Sequence, residues 1–313
     1  MWMIMMQMFF LLLITSFIFS SDSFWSVWVG LELFSFFLMP WLIEGESKMS
    51  KVYVFFYFLM QFLASIGVLI SSLTLLNKCF SIVLFSSLLM KMSCFPFHSW
   101  FVNILPYISW EKILVLTSLS KLTPLAIMNL YNPHQSWFIW TLILGLLVPL
   151  SGYNTSCLRS IVAYSSVAHS SWLVLCVCLS KAISLFYILM YLVISMPLCI
   201  FFMVEATTSM KSALAAKKEQ AHLIITTLVL SGIPPFLGFV PKFLVVQSLV
   251  SSGALVEASI MGVMAILPIY FYFKTGILSM SMKAYMEFSF SNSFGVIMVT
   301  TLSASILALI CLT

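Results

Sequence analysis

Apolar residues fill this chain in blocks of about 20, the length at which a helix crosses a hydrocarbon core, and short polar clusters separate the blocks. Reading between those breaks predicts eleven membrane-spanning helices, over residues 2–20, 24–43, 52–76, 80–105, 111–131, 136–152, 159–179, 184–206, 221–250, 254–273 and 292–312. The expected fold class is all-α, a polytopic membrane protein with a single transmembrane domain over residues 1–313. Two spans are predicted to be broken. In the fourth, SCFPFHSW carries Pro96, which lacks a backbone donor and disfavours helix at Phe95, so a break is expected after Met92. The ninth contains SGIPPFLGFVPKF, with Pro234, Pro235 and Pro241 beside Gly232 and Gly238; it is too long for one straight crossing and too interrupted to be one helix. Pro124, three residues after Lys121 in the fifth span, removes the hydrogen bond that the carbonyl of Ser120 would otherwise receive.

Against this apolar background four charges stand out: Glu32 in FWSVWVGLELFSFFLMPWLI, Lys91 in LFSSLLMKMSCFPFHSW, Lys121 in LVLTSLSKLTPLAIM and Lys242 in IPPFLGFVPKFLVVQSL. A charge at bilayer depth costs at least ~2.5 kcal/mol, so it implies a partner, water, or work on protons or ions. All three lysines lie beside backbone loosened by proline, and irregular backbone in a membrane is tolerated where protein or a water-filled cavity satisfies it. Each amine could instead snorkel to an interface, an option that is poorest for Lys121, deep in its span. Glu32 is the sole carboxylate well inside the spans, and Lys91 is its natural counter-charge, either as a static pair or as a switch whose hold on a proton changes with their separation. His169 sits centrally in SIVAYSSVAHSSWLVL among Ser165, Ser166, Ser170 and Tyr164, where it serves as a hydrogen bond between helices or as a relay; His98 lies beside the first break.

Composition narrows the class. At 62% hydrophobic and 7% charged, against roughly 25% charged for a soluble domain, a water-exposed globule is excluded. Seven scattered cysteines show no CxxC pair, and no P-loop, nucleotide-binding glycine motif, hydrolase elbow or metal-ligand cluster is visible, so no cofactor or metal is expected in this chain. With the amino terminus on one face, Lys48, Lys51, Lys112, Arg159, Lys211, Lys217, Lys218, Lys274 and Lys283 fall in loops on that face, and only Lys78 and Lys181 on the other. The positive-inside rule makes the first face internal, with the carboxyl terminus outside; loop cations of this kind set orientation and do not imply nucleic acid. The first twenty residues lack a basic n-region and a small-residue cleavage site, so they are expected to be a first helix.

The runs WVGLELFSFFLMP, LLMKMSCFPFHSWF, SLSKLTPLAIM, LRSIVAYSSVAHSSW and SGIPPFLGFVPKF, in this order and spacing, resemble the antiporter-like membrane subunits of respiratory complex I, and within them the subunit 2 family in its shortened animal form. The resemblance implies an antiporter-like fold and a horizontal polar axis, with Glu32 and Lys91 as a coupling pair, Lys121 as the central relay and Lys242 near the exchange with a neighbouring subunit. It further implies proton translocation across the mitochondrial inner membrane, an amino terminus in the matrix and a carboxyl terminus in the intermembrane space. Other membrane-arm subunits would be partners and lipids such as cardiolipin would surround the chain. Flavin mononucleotide, iron-sulfur clusters and ubiquinone would belong to other subunits. A stand-alone cation/proton antiporter shares the same lysine and glutamate grammar, and a structural spacer between pump modules is a third option.

Overall fold

The computed structural model describes residues 2–73, 79–131, 145, 148, 151, 152, 155, 157–204, 227–234 and 236–281. Most of the expected span at 136–152, all of that at 292–312, and Pro235 lie outside these residues. The described secondary structure is helical. Helices α1 (Trp2–Ser20), α2 (Phe24–Ile43) and α3 (Lys48–Leu73) are followed by α4 (Cys79–Lys91), α5 (Ser99–Ile104), a 3-10 turn at Leu105–Tyr107, α6 (Trp110–Thr117) and α7 (Leu119–Tyr131). Then come α8 (Leu158–Leu179), α9 (Lys181–Val204), α10 (Phe239–Ser251) and α11 (Leu255–Ser281). Among the described residues five helices are long and apolar enough to cross a membrane: Phe24–Ile43, Lys48–Ser72, Trp110–Leu130, Leu158–Leu179 and Lys181–Ile200.

The outer helices show why the chain is so apolar. Phe9, Phe36, Phe55, Leu63, Leu189 and Ile200 project outward, 52–64% exposed, as side chains that face lipid do. The opposite faces bury Leu31, Leu38, Val54, Val68 and Ile188 in the core. Helix α8 occupies the centre: 89% of its apolar window is enclosed, against 39% for Lys48–Ser72. It packs against α5, α7, α9, α10 and α11. A helix enclosed on all sides needs its polar groups satisfied internally. In α8 the hydroxyls of Ser165, Ser166, Ser170 and Ser171 do this locally, donating to carbonyls three residues earlier at 2.6–2.8 Å.

Three irregular joints interrupt the bundle. Helix α4 stops at Lys91, Ser93 takes a left-handed conformation (φ 54°), the Phe95–Pro96 peptide is cis, and helix resumes at Ser99. Ser118 separates α6 from α7 (φ −117°, ψ −71°); just beyond it, the Ser120 carbonyl that Pro124 deprives of an amide partner accepts the hydroxyl of Thr123 at 3.2 Å. Between the helical residues 227–231 and α10 the chain turns through Gly232 (φ +73°) and Gly238. Here glycine is required: a Cβ on Gly238 would lie 1.9 Å from the carbonyl oxygen of Val229. Pro241 falls in the first turn of α10, where a missing amide proton costs no helical bond.

One sequence expectation needs correction. Lys112, counted above with the loop cations, is 7% exposed and lies within α6. Its ammonium donates to the carbonyls of Leu42 (3.0 Å) and Glu44 (2.5 Å) and pairs with Glu46 Oε1 at 3.0 Å. The same carboxylate oxygen accepts the Ser109 amide at 3.1 Å. The carbonyls at the end of α2 have no intrahelical donor, so a cation placed there satisfies them and complements the helix dipole. Folding brings the loop after α2 onto the start of α6, and the cation is enclosed by that contact.

Candidate functional site

The three lysines singled out from the sequence are buried, with Lys91 4% exposed, Lys121 1% and Lys242 3%. Each sits at or beside a joint: Lys91 is the last residue of α4, Lys121 follows the Ser118 bend, and Lys242 is in the first turn of α10. Lys121 Nζ donates to the carbonyl of Ser166 on α8. The rings of Phe101 and Tyr191 lie 5.9 and 5.7 Å from that nitrogen. Lys242 Nζ donates to the carbonyl of Ser231, at the end of the helical residues before the Gly232 turn, at 2.8 Å, and stands 6.0 Å from the Trp172 ring. Among the described residues neither amine has a carboxylate within ion-pairing distance, and the ion pair is that of Lys112 with Glu46. Carbonyl dipoles and aromatic faces hold these two amines.

Glu32, on α2, is half-buried and forms no ion pair with Lys91. The carbonyl of Lys91, left without a helical donor by the break, accepts the side-chain amide of Gln61 at 3.4 Å. His169 lies between the other two amines and feels the charge of both. Its Nδ1 is 2.9 Å from the hydroxyl of Tyr187, and its ring centroid is 4.9 Å from that of Tyr191. His98 stands apart, stacked on Phe95 at 5.3 Å beside the exposed Pro96. Pro124 is carried within α7 and Pro234 lies in the turn before α10.

Sequence reasoning missed five participants: the side chains of Gln61, Tyr187 and Tyr191 and the carbonyls of Ser166 and Ser231. A signal for the tyrosines existed, since Tyr187 and Tyr191 are four residues apart and so share one face of α9. Likewise Ser165 and Ser166 are each repeated four residues on by His169 and Ser170, a polar stripe along α8. Chemically, the arrangement offers ionisable nitrogens, hydroxyls and carbonyls in an enclosed setting, and among the described residues no cluster of three or more metal-ligating side chains.

The broken helices, the central α8 and the buried amines define an antiporter-like membrane protein. A family profile described as NADH:quinone oxidoreductase/Mrp antiporter, TM, matches residues 74–268, and the chain belongs to that family. It is similar to the NADH-ubiquinone oxidoreductase chain 2 of Artemia franciscana, 34% identical over 267 residues covering 83% of this chain and 85% of the relative. It is also similar to the chain 2 of Locusta migratoria, 30% identical over 271 residues, covering 82% and 79%. In fold it matches a chain of respiratory complex I from Thermus thermophilus solved with bound aureothin, with a TM-score of 0.75 at 18% identity over 95% of this chain and 74% of the other.

Proposed function

We propose that this chain is the proton-translocating, antiporter-like chain 2 of a mitochondrial NADH:ubiquinone oxidoreductase. It lies in the inner membrane with its amino terminus in the matrix and its carboxyl terminus in the intermembrane space. Protons move along Glu32, Lys91, Lys121, His169 and Lys242, with water filling the gaps between them. Redox chemistry at flavin, iron-sulfur clusters and ubiquinone belongs to partner subunits of the membrane and peripheral arms, and neighbouring antiporter-like subunits continue the polar line.

The observation that carries this reading is the pair of enclosed amines, Lys121 and Lys242, each held by a backbone carbonyl beside a helix joint and, among the described residues, by no carboxylate. A buried ion pair would pin an ammonium in its charged form, whereas a carbonyl holds the ammonium yet leaves the neutral amine a tolerable state. Proton exchange needs both states. Glu32 is close enough to bias Lys91 without locking it, so a change in their separation changes the amine's hold on its proton.

The test is Lys121→Met in the assembled complex. The side chain keeps its volume and loses its charge, so assembly and NADH oxidation by uncoupled membranes are expected to persist while protons pumped per electron fall. An unchanged stoichiometry and rate would refute the relay. A second reading, a cation/proton antiporter working without redox partners, is favoured by the other half of the family description. Copurification with flavin and iron-sulfur proteins supports the first reading; isolation alone or with close homologues supports the second.

A further inference from the structure

The Lys121 amine is the most enclosed of the three, and its surroundings differ from those of an ordinary buried cation. One carbonyl, from Ser166, accepts a hydrogen bond from it. Two aromatic rings flank it, Phe101 from α5 and Tyr191 from α9, both 2–3% exposed, with ring centroids 5.9 and 5.7 Å from Nζ. Among the described residues, the titratable groups acting on this nitrogen or lying against it are the Cys94 thiol, His169 and the Tyr191 phenol, none of them a carboxylate. The Tyr191 phenol lies near the side chains of Thr117 and Ser166, and its ring packs against His169 at 4.9 Å. The ring is therefore packed against α8, and it presents its π system to the amine.

We propose that Phe101 and Tyr191 form an aromatic clamp that stands in for a counter-ion at Lys121, holding its ammonium against the Ser166 carbonyl. The inference rests on the reading of Lys121 as a relay and deepens it. A ring quadrupole attracts the ammonium but cannot accept its proton, and it exerts no such pull on the neutral amine. The clamp thus holds the ammonium without itself offering a base that could take its proton. Phe101 and Tyr191 are positioning residues: they act through Lys121, and the ring matters, not the hydroxyl.

Substitutions at 191 in the assembled complex separate the alternatives. Tyr191→Phe and Tyr191→Trp keep a π face and are expected to pump at close to the parental rate. Tyr191→Leu removes it and is expected to slow proton pumping about tenfold while leaving uncoupled NADH oxidation unchanged. Because the leucine variant can fail to assemble, phenylalanine analogues of increasing ring fluorination at 191 provide a second measurement. They preserve shape and drain the negative face, so pumping should decline step by step with fluorination. A flat fluorination series overturns the clamp, as does full pumping by Tyr191→Leu. Loss of pumping in Tyr191→Phe equal to that in Tyr191→Leu also overturns it, by assigning the effect to the hydroxyl. Lys121→Met run in parallel keeps the two proposals apart: loss of pumping there with no effect at 191 removes the clamp and leaves the relay, while full pumping in Lys121→Met removes both.

Discussion

The joint before α10 shows how far single residues fix the geometry of a buried amine. Gly232 has φ +73°, and a Cβ there would stand 2.7 Å from Lys242 Nζ and 3.0 Å from the carbonyl oxygen of Gly238. Gly238 has an ordinary φ, yet its missing Cβ leaves room for the Val229 carbonyl at 1.9 Å. Gly253 shares the left-handed conformation (φ +80°) but has nothing within 4 Å. The three alanine variants should therefore rank in severity. Gly253→Ala adds only backbone strain, about 1–2 kcal/mol. Gly232→Ala adds that strain and displaces Lys242 from Ser231, and Gly238→Ala cannot be accommodated without moving backbone. Thermal stability of the purified complex and the yield of assembled subunit measure the order; a Gly238→Ala variant as stable as Gly253→Ala would contradict it. The sequence disclosed these glycines and the lysine beside them, because a charge and two helix breakers in an apolar run are visible without coordinates. It could not disclose that Ser231 accepts the ammonium, since a backbone carbonyl has no signature in the side-chain pattern.

At the scale of helices, the Lys112 contact ties the end of α2 to the start of α6. Lys112→Met leaves the Glu46 carboxylate and two helix-terminal carbonyls without their cation, in a setting where the paired side chains are 9% and 12% exposed. Removing one member of such a largely buried pair should cost about 3 kcal/mol, and combining it with Glu46→Gln should recover part of that loss. A double-mutant cycle on the melting of the purified complex checks this, and additive losses would show that the two groups do not interact. The sequence pattern located α6 and α7 as one span and marked Pro124 inside it. It misassigned Lys112 because a lysine close to a helix start reads as solvated, and only the docking of residues 44–46 onto α6 encloses it. The polar stripe along α8 was visible as serine repeated at helical spacing, whereas the α9 tyrosines were hidden within a run of bulky apolar residues.

Across the described part of the molecule, burial grades from lipid-facing helices to an enclosed centre. More than half of the residues along the apolar stretches of α2, α3 and α9 are exposed or half-buried, while α8 is covered almost throughout. Amide hydrogen exchange in a lipid nanodisc should follow that gradient among residues of comparable hydrogen bonding, with Leu158–Leu179 slowest and Trp2–Ser20 among the fastest. Faster exchange in α8 than in α1 would mean that the centre opens independently of the rim. Hydropathy made the all-helical membrane class legible, since blocks of membrane-crossing length need no tertiary information. It could not identify which helix is central: α8, with its five serines and a histidine, is less apolar by residue type than α9.

The position of α8 has one more consequence. Its Ser166 carbonyl holds Lys121 and its Trp172 ring lies against Lys242, six residues further along the same rod, about 9 Å by helical rise. A slide or twist of this single rod changes the lodging of both cations in the same instant, as one shaft moves two cams. Evolution could retune either nitrogen by altering its private neighbours, but mechanical input delivered through α8 reaches the two as a unit.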